Sequence, residues 1–205
     1  MLFPEFLAPP QPDGASDEWY TPRWLLDWLP PVGFDPCWAP ESNVRPAVGW
    51  DVRSGRNGLL EPWPDVPGIV FVNPPYSDCA SWVAKCQREA DRLQRVVVAL
   101  VPGYAGDQYW HRHVWGRARW VGFIAGRIRF DTLGGRRAKD AASFTSALVC
   151  WGPAEAAGTV LRTVRERAAG QRGLWTVNAM TPHAAEPEET VSEPLQPHVA
   201  RIGRA

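Results

Sequence analysis

The stretch Gly68-Ile69-Val70-Phe71-Val72-Asn73-Pro74-Pro75-Tyr76 decides the fold. Its first half is a short apolar run, rich in β-branched residues and bounded by turn formers, and it reads as a buried strand. The two prolines carry no N–H and fix φ, so the strand cannot continue through them. Asn73 is thereby presented at the strand's C-terminal end, where open α/β sheets bind ligands.

Outward from that strand the chain alternates. Pro22 to Leu29 predicts a short helix, with Thr21 as N-cap and Pro22 at the first helical position. Gly33-Phe34-Asp35 and Ala47 to Trp50 predict strands, the second closed by Asp51. Cys79 to Arg95 carries Trp82, Val83, Cys86, Ala90 and Leu93 on one helical face. Val96 to Val101 is a near-continuous apolar run, as expected for a strand covered on both faces. Asp107 to Arg117 predicts a weaker helix. Trp120 to Ile124, Ile128 to Phe130 and Phe144 to Trp151 predict strands, and Ala154 to Ala169 an amphipathic helix with Val160, Leu161, Val164 and Ala168 inward. Alternating strands and helices argue a three-layer α/β fold with a mainly parallel sheet.

The chain has 205 residues, one domain by length, and its 45% hydrophobic content suffices for a core. Residues 1–16 read as a loose arm, 17–180 as the domain, and 181–205 as a disordered tail with no apolar periodicity. No apolar stretch approaches membrane-spanning length and no basic-then-apolar leader opens the chain, so a cytoplasmic protein is expected. Cys37, Cys79, Cys86 and Cys150 lack metal-site or disulfide-framework spacing. His111 and His113 read as polar residues on a helix, and no metal is expected.

Net charge is zero but unevenly spread. Between His111 and Lys139 stand Arg112, Arg117, Arg119, Arg127, Arg129, Arg136, Arg137 and Lys139, against Asp131 alone. A basic stretch of this kind suits phosphates. A solvated, arginine-rich face is the plainer alternative, since only Lys85 and Lys139 among the 22 basic residues are lysines.

An aromatic amine is a poor nucleophile because its lone pair is delocalised. Two acceptors aimed at its hydrogens would draw the nitrogen toward a tetrahedral, nucleophilic state. The side-chain oxygen of Asn73 can be one and the carbonyl of Pro74 the other. Pro75 holds the turn, and the ring of Tyr76 can stack on the base. An ordinary strand-ending turn is the competing reading.

In order, the motifs are Trp19-Tyr20-Thr21-Pro22, Phe34-Asp35-Pro36-Cys37, Asn57-Gly58-Leu59, Trp63, Asn73-Pro74-Pro75-Tyr76, Leu100-Val101-Pro102 and Gly126-Arg127-Ile128-Arg129-Phe130. The series, spanning residues 17–151, resembles the phage-type DNA N6-adenine methyltransferase family. That resemblance implies a Rossmann-like, S-adenosylmethionine-dependent methyltransferase fold of phage or prophage origin, with DNA as substrate. Catalytic residues would be Asn73, Pro74, Pro75 and Tyr76, acting on an adenine flipped from the duplex. Around S-adenosylmethionine it implies Tyr20, Thr21, Pro22, Asp35, Pro36, Cys37, Asp51 and Asn57. Asp35 would hold the amino group by charge, Asp51 the ribose hydroxyls and Asn57 the adenine. Asp51 and Asn57 also read as members of an ordinary loop. Arg127, Arg129, Arg136, Arg137 and Lys139 would contact nucleic acid.

The turn Pro36-Cys37-Trp38-Ala39-Pro40 departs from the family pattern, because it holds no glycine where the backbone approaches the cofactor. Two rivals stay open: an N-methyltransferase acting on RNA or protein glutamine, and a catalytically silent nucleic-acid-binding module with the same fold.

Overall fold

The predicted strand at residue 68 onward is β3, Ile69–Val72, with all four residues buried. A computed structural model describes residues 19–132, 136–153 and 160–164. The predicted arm 1–16 and tail 181–205 lie outside the described residues, as do Leu133, Gly134 and Gly135.

Among the described residues seven strands form one sheet: β1 Val32–Asp35, β2 Val48–Gly49, β3, β4 Val97–Pro102, β5 Trp120–Ile124, β8 Ser146–Trp151 and β9 Val160–Val164. Their order is β2-β1-β3-β4-β8-β5-β9. Only β8 runs against its neighbours, pairing antiparallel with β4 and β5. The other pairs are parallel. Two short strands, β6 Asp131–Thr132 and β7 Arg136–Arg137, make a separate antiparallel ribbon.

Side chains alternate across the sheet, because successive strand residues point to opposite faces. Val70 and Val72 of β3 join Val97, Ala99 and Val101 of β4 in one core. That core is closed by Trp82, Val83 and Cys86 of α2, Cys79–Leu93, and by Trp110 of α3, Gln108–His113. Ile69, Phe71, Val98 and Leu100 enter the opposite core with Leu25 of α1, Arg23–Leu26, and with Ile128 and Phe130. The fold is therefore mixed α/β, with a mostly parallel sheet buried on both faces, as all-apolar β3 and β4 require.

The entry into β3 needs glycine. Gly68 has φ +101°, and a Cβ there would stand 2.8 Å from the Gly33 nitrogen. The parallel strands β1 and β3 thus close against each other through bare backbone.

Three expectations are corrected. Residues Val160–Val164 are a strand pairing parallel with β5, not part of a helix over 154–169. The open edge of β5 supplies hydrogen bonds that outweigh the helical spacing of Val160, Leu161 and Val164; the rest of that predicted helix lies outside the described residues. Ile128 to Phe130 joins no strand, its backbone being tied to the following loop by Ala138 N–H to the Phe130 carbonyl and Ala142 N–H to the Ile128 carbonyl, both 2.8 Å. Thr21 does not cap α1. Pro22 occupies the cap position without a side-chain bond, and its carbonyl accepts the Leu25 N–H at 3.0 Å.

Candidate active site

The strand order reverses between β1 and β3, since the chain runs from β1 outward to β2 and then returns to the other side of β1. Such a switch point opens a crevice at the C-terminal strand edge. Asp35 ends β1 and Asn73 follows β3, so these two residues flank the crevice. The starts of β8 and the segment after β5 reach the same edge, because Pro102 is opposite Ser146 and β5 runs parallel to β4.

Asn73 is held on both sides of its amide. Its Nδ2 donates to the Trp19 carbonyl at 2.5 Å, and its Oδ1 accepts from the Tyr76 hydroxyl at 3.1 Å. An amide oxygen has two lone pairs, so one acceptor position remains. Burial pushes the Tyr76 hydroxyl well above its usual range, so it stays protonated and donates. Pro74 is buried, Pro75 half-buried. Pro75 starts the single turn Tyr76–Asp78, which turns the Tyr76 ring back toward Phe144 and Phe130, with centroids 5.5 and 6.3 Å away.

Cys37 joins the two strand ends. Its backbone N–H donates to Asp35 Oδ1 at 3.0 Å, and its Sγ donates to the Asn73 carbonyl at 3.3 Å. Burial first, and then the Asp35 charge, push the thiol well above its ordinary value, which keeps it a donor. Asp35 itself is 3% exposed and forms no ion pair among the described residues. Desolvation raises it from 3.8 to about 7, against the lowering effect of the Cys37 bonds.

The Trp19-Tyr20-Thr21-Pro22 segment lies against this edge. Tyr20 bridges antiparallel to Asp131, and Tyr20, Thr21 and Pro22 are all buried. The Asn43 amide donates to the Thr21 carbonyl at 3.0 Å and to Asp131 Oδ2 at 2.5 Å. The Thr21 hydroxyl is buried with no hydrogen-bond partner among the described residues.

The glycine-free turn makes no use of left-handed backbone: none of residues 36–40 has positive φ. Close packing is instead supplied from outside it. A Cβ at Gly58 would lie 2.2 Å from the Pro36 carbonyl oxygen, and one at Gly49 2.6 Å from the Trp38 ring.

Asp51 and Asn57 are already engaged. Asp51 accepts from the Arg53 backbone and guanidinium at 2.9 to 3.1 Å, which lowers its pKa, and Arg53 continues to Glu41. Asn57 Oδ1 accepts the Leu59 and Leu60 N–H groups at 3.0 and 3.2 Å. Arg127 and Arg129 are exposed on either side of buried Ile128, and Arg137 and Lys139 are exposed as well. Arg136 belongs to β7.

Sequence reasoning left out Asn43, Phe130 and Phe144 as site residues. Only Phe130 stood inside a quoted motif; nothing local marks the other two. Among the described residues no cluster of three His, Cys, Asp or Glu could hold a metal ion. His113 Nδ1 lies 2.8 Å from Gln87 Oε1. No helix among them is long and apolar enough to cross a membrane.

The mostly parallel sheet, its switch-point crevice, and an amide and ring at the strand edge define a methyltransferase-like α/β protein. More particularly, residues 10–175 match the DNA N-6-adenine-methyltransferase (Dam) family, and the chain belongs to it. No curated protein matches the chain. No solved structure matches it either.

Proposed function

We propose that this protein transfers a methyl group from S-adenosylmethionine to N6 of an adenine flipped out of DNA, on a three-layer Rossmann-like scaffold. The observation that carries the reading is the fixed amide of Asn73, whose oxygen keeps a free lone pair at the strand edge. Family membership supports the reaction class.

The residues present fit the cofactor. A carboxylate with no cation and a hydroxyl with no partner among the described residues stand buried near one crevice, and an unsatisfied buried polar group is costly unless a ligand answers it. Asp35 would hold the ammonium, and Thr21 a polar atom of the methionine part. S-adenosylmethionine, when bound, supplies an electrophilic methyl. Asp51 and Asn57 would meet it through whatever lone pairs their present bonds leave.

Asn73 Oδ1 and the Pro74 carbonyl would accept the two N6 hydrogens and localise the nitrogen lone pair. The nitrogen would form its new bond to the methyl as the methyl–sulfur bond breaks and the thioether leaves, and the proton it then sheds would pass to water. No strong base is required, so positioning supplies most of the rate. The exposed cations Arg127, Arg129, Arg137 and Lys139, with Arg136 beside them in sequence, would contact phosphates. The reading carries with it a phage-type enzyme acting in the cytoplasm of a bacterial host.

The test is sequencing, with modified-base detection, of DNA from cells expressing the protein or its Asn73→Ala variant. N6-methyladenine in a fixed sequence context, present with the first and missing with the second, is expected. Unmodified DNA in both would overturn the reading.

A further inference from the structure

Five rings form an unbroken row along the catalytic edge. Trp19 meets Phe130 at 5.1 Å, Phe130 meets Tyr76 at 6.3 Å, Tyr76 meets Phe144 at 5.5 Å, and Phe144 meets Tyr104 at 6.3 Å, all between centroids. The row runs from the segment that orients Asn73 to the surface. Its outer member, Tyr104, is 37% exposed, and Leu60 is the other exposed large apolar residue among those described.

Tyr104 sits on a tied loop. Gly103 N–H donates to the Thr145 carbonyl at 2.8 Å, extending the β4–β8 ladder by one step. The Asp107 N–H returns to the Tyr104 carbonyl at 2.9 Å, and Trp115 Nε1 donates to the Ala105 carbonyl at 3.2 Å. A lone surface tyrosine is commonplace. A ring on a tied loop, continuous with the ring expected to receive the target base, offers a stacking face, and exposed Arg129 adjoins Phe130 farther along the same row.

Resting on the methyltransferase reading above, we propose that Tyr104 is a second base-stacking position, holding a nucleobase next to the flipped adenine in the same strand. The ring has no part in methyl transfer. It would hold the strand so that the target stays in the pocket at Asn73. Stacking needs only a π-face, so this contact favours no particular sequence.

The test compares wild type, Tyr104→Ala, Tyr104→Phe and Tyr104→Trp in a tritiated-methyl transfer assay on unmethylated genomic DNA, with melting curves for each. Tyr104→Ala should raise KM for DNA about tenfold while kcat stays within about a factor of two, the signature of lost binding shared by ground and transition states. Tyr104→Phe and Tyr104→Trp should restore KM, and all four should melt alike. Because the ring is neutral, the salt dependence of DNA binding should keep its slope in Tyr104→Ala. A wild-type KM in Tyr104→Ala, or an equal loss in Tyr104→Phe, or a changed salt slope, overturns the proposal while leaving the enzyme reading intact. A wild type that methylates no DNA overturns both.

Discussion

The Tyr76 hydroxyl donates to Asn73 Oδ1 across 3.1 Å, so the ring and the amide of this motif are one unit. On the proposed reading the ring would receive the base, and its hydroxyl would separately steady the oxygen that grips N6. Tyr76→Phe keeps the ring and deletes the donor. A net hydrogen bond of about 0.5–1.5 kcal/mol corresponds to a few-fold fall in kcat, with DNA affinity unchanged. Tyr76→Ala should lose affinity as well. Transfer kinetics beside binding isotherms check both; Tyr76→Phe at the full wild-type rate would mean the hydroxyl contact does not survive substrate binding.

Asp35 predicts a pH dependence. Its folded-state value is about 7 against an ordinary 3.8. Between the two, the ligand-free folded protein holds a proton that the unfolded chain has released, so stability falls as pH rises from about 4 to about 7 and levels off beyond. An ammonium bound beside Asp35 favours the carboxylate and expels that proton. Affinity for S-adenosylmethionine should therefore climb with pH, by up to about tenfold per unit, until about pH 7. Asp35→Asn should flatten both curves and weaken binding. Calorimetric titrations from about pH 5 to pH 8, in buffers of different ionisation heat, measure affinity and proton release together. A wild-type affinity independent of pH would remove Asp35 from the cofactor contact.

The strands were legible where a run of apolar residues is buried on both faces, as in Ile69–Val72 and Val97–Pro102. Strand ends were legible too, because prolines stop β3 and an acid ends β1. What escaped is what depends on distant partners. β9 was read as helix because its pairing with β5 is tertiary. The ribbon of Asp131–Thr132 with Arg136–Arg137 has too few residues to show a period. In the site, Asn43 reaches Thr21 and Asp131 across 22 and 88 positions, and the acceptor that orients Asn73 is a main-chain carbonyl, which no side chain announces. The missing glycine in the turn after Asp35 was legible, but its compensation at Gly58, twenty-odd residues on, was not.

Gly58→Ala tests that compensation. The new Cβ would fall 2.2 Å from the Pro36 carbonyl oxygen, which is backbone and cannot rotate away. Overpacking of this kind costs about 1–3 kcal/mol and should lower the melting temperature. The turn must also shift, and with it the Cys37 N–H that supports Asp35. The extra stabilisation seen on adding S-adenosylmethionine should shrink. If that increment is unchanged in a destabilised variant, the Pro36–Cys37 turn does not border the cofactor.

Arg127 and Arg129 flank buried Ile128 and are exposed. If each neutralises one phosphate, the double variant Arg127→Ala, Arg129→Ala should bind DNA more weakly at all sequences and flatten its salt dependence by about two units of slope. Binding isotherms over a range of salt concentrations decide it. An unchanged slope would make both arginines part of a solvated face.

The last prediction separates the roles of the Asn73 amide. On the proposed reading Asn73→Ala would delete the acceptor that gains most as N6 becomes tetrahedral, so kcat should fall by about a hundredfold, the scale of one preorganised polar group, while DNA affinity changes little. Asn73→Asp keeps an acceptor of the same size. It also loses the donor to the Trp19 carbonyl, and two oxygens cannot stay where nitrogen and oxygen now meet at 2.5 Å. The side chain must then swing away or take up a proton, and its alignment with Tyr76 loosens. Activity should stand between wild type and Asn73→Ala, and should recover toward acid pH if a proton restores the bond to Trp19. A tritiated-methyl assay of the three proteins across pH checks the order. Asn73→Ala working at the wild-type rate would reduce the motif to a turn, whereas Asn73→Asp equalling wild type at every pH would show that the Trp19 contact does not orient the reacting group.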